Sequence, residues 1–260
     1  MKKTPDEIFE CLRIVCDALD RRRLWHALAY GSLLGAVREK DVLAWDDDFD
    51  LFARPCDVPA ILALDLSAEG ISFAPVRRPA THLALNRRRI ESFDSGAITV
   101  LRHGQKMGDF FVFTLFRDGV LRRHDFDREV YWSPHASFPA FFVESPGEGV
   151  LRGRRFPIIG HAEKWLEGVY GADWRVPIRS LNTGGKGRSG MNMYGHRCAP
   201  RLAGEIDWCV AQGWDRSRYA FEPVWPRDLA GCGPLGPVER TKANSRSLWW
   251  RDLDELITNF

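Results

Sequence analysis

Four carboxylates stand within five positions of this 260-residue chain, Asp46, Asp47, Asp48 and Asp50. Like charges this crowded repel one another, so a fold that keeps them ordered supplies a cation. The run Asp48-Phe49-Asp50-Leu51 alternates charged and apolar residues, the period of a β-strand. On a strand, Asp48 and Asp50 point to one face with Cα atoms about 6.5 Å apart. At that separation they can share a divalent metal or hold two neighbouring ones. Asp46 extends the same face and Asp47 points away. A solvated acidic turn is the other reading of an Asp-Asp-Asp run. The β-like continuation into Phe49-Asp-Leu-Phe52 and the Gly31-Ser32 turn upstream favour the metal site.

Phosphate-handling sites of the polymerase type take two carboxylates from one strand and a third from its neighbour, holding Mg²⁺ against a nucleotide's phosphates. The third acid belongs alone in an apolar run. Asp109 fits, at the mouth of Met107-Gly-Asp-Phe-Phe-Val-Phe113, because so apolar a strand does not tolerate a charge without a partner. A plain Gly108-Asp109 turn before the strand is the alternative, and Asp94 is the reserve candidate.

Elements that would position these acids can be read around them. Thr4-Pro5-Asp6-Glu7 is a capping box with Pro at the first helical position, and Ile8, Leu12, Val15 and Leu19 recur at helical spacing to about Arg22. Leu24 to Tyr30 reads as a short buried strand, Ser32 to Glu39 as a short helix, Trp45 to Phe52 as the acidic strand, and Pro59 to Ala68 as a helix. Strand-type runs follow at Ile71–Val76, His82–Arg87, Ala97–Arg102 and Asp109–Leu115, with an Asp118-Gly119 hairpin signal and a return strand near Val120–His124. Tyr131 to Gly160 reads as loop-heavy with an Arg-rich turn at Arg152–Arg155, and His161 to Tyr170 as a helix stopped by Gly171. This order implies an α/β or α+β sheet covered on one side. Residues 180–260, rich in Gly, Pro and Trp, read as an appended lobe or wrapping extension with a last helix at Leu248–Ile257.

Apolar residues make up 45% of the chain, enough for a sizeable core, and the net charge of +2 argues against a dedicated nucleic-acid binder. The 30 Arg and 7 Lys suit phosphate recognition or reflect genome composition alike. No run long enough for a transmembrane helix and no secretory leader is visible, and the six cysteines form no Cys-x-x-Cys pair, pointing to a cytoplasmic protein with reduced thiols and no zinc site. Gly185-Lys-Gly-Arg-Ser-Gly190 matches the dinucleotide fingerprint in letters but lacks the flanking strand and helix, so it reads as a basic loop that could close over phosphates. His196 with Cys198 and Cys209 reads as incidental. The tryptophans at 208, 214, 225, 249 and 250 read as packing residues, with stacking on a sugar as the alternative.

Gly31-Ser-Leu-Leu-Gly-Ala-Val-Arg38 followed by Trp45-Asp-Asp-Asp-Phe-Asp-Leu51 resembles the signature of the LicD family, phosphocholine-transferase-like proteins related to the fukutin group within the nucleotidyltransferase superfamily. Asp109–Val120, Phe156-Pro-Ile-Ile159 and Glu163–Trp174 resemble its later motifs, so the likeness spans roughly residues 20–178. It departs at Glu39-Lys40-Asp41, where a basic residue or His with Gly is common, and at Ala44, where Pro is frequent. The resemblance implies a nucleotidyltransferase-like mixed sheet flanked by helices, and with the change of composition it divides the chain into a core over 1–178 and an extension over 179–260 packing on it. It also implies transfer of a phospho-alcohol, such as phosphocholine or a polyol phosphate, from a CDP-linked donor to a hydroxyl of a glycan or other acceptor. Asp48, Asp50 and Asp109 would then hold Mg²⁺, with Mn²⁺ as an alternative ion and Asp46 as a further ligand. Gly31 and Ser32 would face the donor phosphates. Arg38 would pair with a phosphate, or cap its helix with a solvent-facing charge. The alternatives are nucleotidyl transfer to a small-molecule hydroxyl, and a catalytically silent nucleotide- or glycan-binding protein.

Overall fold

The computed structural model of the chain describes residues 3–76, 97–115, 119–123, 137–177 and 198–219. The expected strand at His82–Arg87, Asp94, the Gly185–Gly190 loop, His196, Trp225, Trp249, Trp250 and the helix at Leu248–Ile257 lie outside the described residues. Among those described, no helix is long and apolar enough to cross a membrane.

Helix α1 (Pro5–Arg21) starts as its capping box requires: Thr4 accepts from the Glu7 N–H while Glu7 reaches back to Thr4 N. The chain then forms β1 (His26–Leu28), α2 (Tyr30–Leu34) and a π-helical turn at Gly35–Glu39. Next come β2 (Phe49–Ala53), α3 (Val58–Leu62), β3 (Ile71–Pro75), β4 (Ala97–Arg102) and β5 (Gln105–Leu115). The remainder comprises β6 (Val120–Arg123), β7 (Ser137–Pro139), α4 (Phe141–Glu144), β8 (Gly147–Leu151), β9 (Arg154–Ile158), α5 (Ala162–Tyr170) and α6 (Cys198–Ala211).

These strands make one mixed sheet in the order β3-β4-β5-β2-β1-β9-β8. The β2/β5 and β1/β9 pairs are parallel and the others antiparallel. Strand β5 outruns the main sheet, and its last residues pair with β6, which pairs with β7. The expected mixed α/β sheet with flanking helices is therefore present. It is covered on both faces rather than one: Phe49 and Leu51 are fully buried on one side of β2 and Phe52 on the other. Phe52 meets Trp165 of α5, Phe113 and Phe138 at ring-centroid distances of 5.6, 5.3 and 5.6 Å. The opposite face is left to α1, which packs across β2 and β5.

Several boundaries differ from the sequence reading. Tyr131–Gly160 is not loop-heavy where it is described: β7, α4 and the β8–β9 hairpin occupy it. Its strands are short and broken by Gly or Pro, which hides the two-residue alternation. Only Arg152-Gly153 of the Arg-rich stretch is a turn, both residues at positive φ as a tight hairpin demands. The expected helix at Pro59–Ala68 is confined to Val58–Leu62 with short 3₁₀ turns around it. The helix α6 went unread because Pro200 and Gly204 interrupt its pattern. Trp208 of α6 stacks on Phe142 of α4, with ring planes 10° apart.

Truncating Trp165, whose indole is wholly buried among these rings, leaves a large cavity. Trp165→Ala is expected to lower unfolding free energy by about 3–5 kcal/mol in urea titration, against within about 0.5 kcal/mol for exposed Val176→Ser. Similar costs for the two variants would contradict this core.

Candidate active site

The parallel register of β2 and β5 sets Asp50 directly beside Asp109. Adjacent strands lie about 4.8 Å apart, so two carboxylates on one face at the same register are forced together. Asp48 joins them from the residue before β2. One carboxylate oxygen from each of Asp48, Asp50 and Asp109 lies within 4.8 Å of the other two. Asp46, Asp47 and Asp48 make a second such group.

Two sequence expectations need correction here. Strand β2 begins at Phe49, not Trp45, so Asp46 and Asp48 belong to a loop and Asp46 does not extend a strand face. Nor does Asp109 open its strand or sit in a turn: β5 starts at Gln105, and the turn is His103-Gly104, both at positive φ.

Asp46 reaches the site by another route. A Cβ added at Gly31 would lie 2.3 Å from Asp46 Oδ2 and 3.7 Å from Asp50 Oδ2. Both carboxylates thus crowd against bare backbone, which only glycine provides. The Gly31 N–H donates to Asp50 Oδ2 at 3.3 Å, and the Asp50 N–H donates to Ser32 Oγ at 3.0 Å. Ala29 N–H donates to the Asp50 carbonyl at 3.0 Å. Ala29, Gly31 and Ser32 therefore grip Asp50 at its carbonyl, carboxylate and amide, with Ser32 buried. Tyr30, just before it, holds φ at +38°, a strained value for a bulky residue. The ring is pinned by Phe111 at 4.7 Å and Trp165 at 5.5 Å, so the aromatic core maintains the bend that aims Gly31 at the acids.

Two residues at the site were not foreseen. Lys106 Nζ lies 2.7 Å from Asp48 Oδ2 and 2.8 Å from Asp109 Oδ2. Thr99, opposite Asp109 on β4, donates its hydroxyl to Asp109 Oδ1 at 2.8 Å. In a regular strand, Lys106 and Asp109 would face opposite ways, being three apart. The β4/β5 register shifts between Val100 and Leu101, leaving Met107 as an extra residue. That bulge reverses the alternation and turns Lys106 to the acid side. Gly108, beside the bulge, was its only sequence trace; a Cβ there would lie 2.6 Å from the Phe49 carbonyl.

The electrostatics follow from the crowding. Burial and then repulsion from Asp48 push Asp46 up to about 7. Asp50 is raised well above the ordinary carboxylate range by burial, then by Asp48, Asp46 and Asp109. Burial raises Asp48 too, with Lys106 opposing it. Burial also lifts the Tyr170 phenol, helped by Asp50 and Asp46, which places the end of α5 beside this negative field.

Arg38 is not a solvent-facing helix cap. Its side chain is 9% exposed, paired with Glu39 at 2.7 Å. It donates to the Trp174 carbonyl at 2.8 Å and lies 5.9 Å from the Trp45 ring. It thus ties the acidic loop to the chain following α5.

Residues 23–93 match a family model described as LicD/FKTN/FKRP, nucleotidyltransferase domain. The matched segment holds the Gly31-Ser32 pair and the first acids. Over that span the chain is similar to the LicD family, as its motif suggested. Asp109, Lys106 and α5 lie beyond the matched residues. A solved structure described as the crystal structure of ANT(2")-Ia in complex with adenylyl-2"-tobramycin is similar at 15% identity, over 82% of this chain and 99% of that one. Its TM-score of 0.37 is too low to bear on fold or activity. No curated protein matches.

Hard carboxylate oxygens in this number suit a hard divalent ion such as Mg²⁺ or Mn²⁺. The position of the Lys106 ammonium between two of them shows that the site accepts a cation. A metal is expected to raise the melting temperature, with about 2.7 kcal/mol gained at one hundred times its dissociation constant. Asp48→Asn/Asp50→Asn should abolish that gain while raising the metal-free melting temperature, since like charges are removed. A double variant that keeps the gain in differential scanning fluorimetry would contradict the assignment.

Proposed function

We propose that the protein is a Mg²⁺-dependent transferase that moves a phospho-alcohol group from a CDP-linked donor to a hydroxyl of a glycan or other acceptor. The observation that supports this most is the convergence of Asp48, Asp50 and Asp109 beside Gly31 and Ser32 at the start of α2, within and next to the LicD-type segment. Asp48, Asp50 and Asp109 would hold the ion, with Asp46 as a further ligand. When bound, the ion supplies charge neutralisation to the donor's pyrophosphate and the departing CMP.

The chain's own residues position the reactants. Gly31 and Ser32 fix Asp50 and present bare backbone against which donor phosphates lie. Arg38, already rigid between Glu39 and Trp174, is the guanidinium assigned to the phosphate side. Asp109 comes from a different strand than Asp50 and is assigned to take the proton of the acceptor hydroxyl. The hydroxyl oxygen then bonds to the phosphorus of the phospho-alcohol. The bond from that phosphorus to the bridging oxygen breaks, and CMP leaves with its electron pair. Orientation and electrostatics carry most of the rate, as in other phosphoryl transfers. We also propose that residues 1–178 form this catalytic core and residues 179–260 an extension packed on it, of which residues 198–219, with α6, are the described part.

Incubating the protein with CDP-alcohols, Mg²⁺ and a glycan panel is expected to release CMP and add the mass of a phospho-alcohol to the acceptor. Asp48→Asn, Asp50→Asn and Asp109→Asn should each lower turnover by about 10³-fold or more with circular dichroism unchanged. An acceptor that gains a nucleotide's mass would mean nucleotidyl transfer instead, and turnover retained in the Asp48→Asn/Asp50→Asn variant would refute the site.

A further inference from the structure

We propose that Lys106 is a tethered counter-cation that bridges the acid site and competes with the divalent ion for Asp48 and Asp109. This rests on the metal role assigned to those acids above. Three observations carry it. Lys106 reaches the acids only because the Met107 bulge breaks the strand alternation, and bulges characteristically re-aim a side chain beside an active site. Its ammonium bridges carboxylates from two separate elements, the loop before β2 and the middle of β5, at 2.7 and 2.8 Å. Its side chain remains 46% exposed on a flexible four-carbon stem, so it can swing to solvent without opening a cavity. Meanwhile its carbonyl accepts from Lys3 Nζ at 2.7 Å, which anchors the pivot.

The competition follows from charge and position. Each carboxylate oxygen engaged by Thr99 or Lys106 keeps a second lone pair, so the acids themselves can still ligate. A Mg²⁺ ion at about 2.0–2.1 Å from oxygens of Asp48 and Asp109 would, however, lie within about 4 Å of an ammonium that is 2.7 and 2.8 Å from them, and the two cations repel. Ion entry therefore favours withdrawal of Lys106. Until then it prevents Asp48 and Asp109 from splaying apart, so the acids wait at metal-binding separation. A lysine-closed form populated about nine-tenths of the time weakens apparent ion affinity about tenfold. It would thereby tune the protein to respond to changes in free divalent ion rather than remain permanently loaded.

Calorimetric titration of Mn²⁺ into wild-type protein and Lys106→Gln tests this, with ¹⁵N-lysine NMR of the wild type as a second readout. Lys106→Gln is expected to bind Mn²⁺ about tenfold more tightly. In the wild type, an ammonium resonance slowed in solvent exchange, identified by its loss in Lys106→Gln, should disappear on adding diamagnetic Mg²⁺. Equal or weaker Mn²⁺ affinity in Lys106→Gln, absence of a slowed ammonium signal, or its persistence with Mg²⁺ bound would overturn the tether while leaving the metal site intact. No saturable Mn²⁺ binding by either protein would overturn the metal role and the tether together. If Lys106→Gln fails to fold, Lys106→Arg, which keeps the charge but lacks the ammonium, identifies the resonance and the wild-type NMR experiment decides.

Discussion

Mutual repulsion among Asp46, Asp48, Asp50 and Asp109 is the constraint around which this molecule is arranged. Left to themselves these groups would separate or take up protons, yet backbone register holds two of them at adjacent positions on parallel strands. Every nearby device restrains the acids against that repulsion. The Gly31-Ser32 pair bonds both the carboxylate and the amide of Asp50, Thr99 takes one oxygen of Asp109, and Lys106 spans the gap between Asp48 and Asp109.

The core has the task of resisting that strain. Along the face of β2 and β5 that carries Asp50 and Asp109, the next inward positions are Phe52, Phe111 and Phe113, and they meet Trp165, Phe138 and Tyr30 in one aromatic layer. A rigid, close-packed floor of this kind keeps the acids from retreating. It also holds the unfavourable φ of Tyr30, which aims the Gly-Ser turn. Stability stored in the rings is thus used to maintain an electrostatically unfavourable arrangement, the pattern expected of a site prepared for a cation.

Much of this was legible in the residues. The Asp48-Phe-Asp50 alternation, the lone acid of the Met107–Phe113 run and the capping box of α1 each leave a local imprint, because each depends on neighbours close in sequence. The remainder depends on pairing between strands, which a single sequence does not record. Nothing local in the sequence marks Lys106, and only the bulge at Met107 turns it toward Asp109. The hairpin turn at His103-Gly104 carries a basic residue where Asn or Asp would have announced it. Arg38 offered two roles, and its burial against Glu39 and Trp174, the latter 136 residues away, could be seen only in three dimensions.

The cation role proposed for these acids rests on their convergence at one point. Anomalous diffraction from crystals soaked in Mn²⁺ tests it most directly. A single strong peak coordinated by oxygens of Asp48, Asp50 and Asp109 is the predicted result. Manganese bound elsewhere, or no peak while the three carboxylates stay clustered, would contradict it.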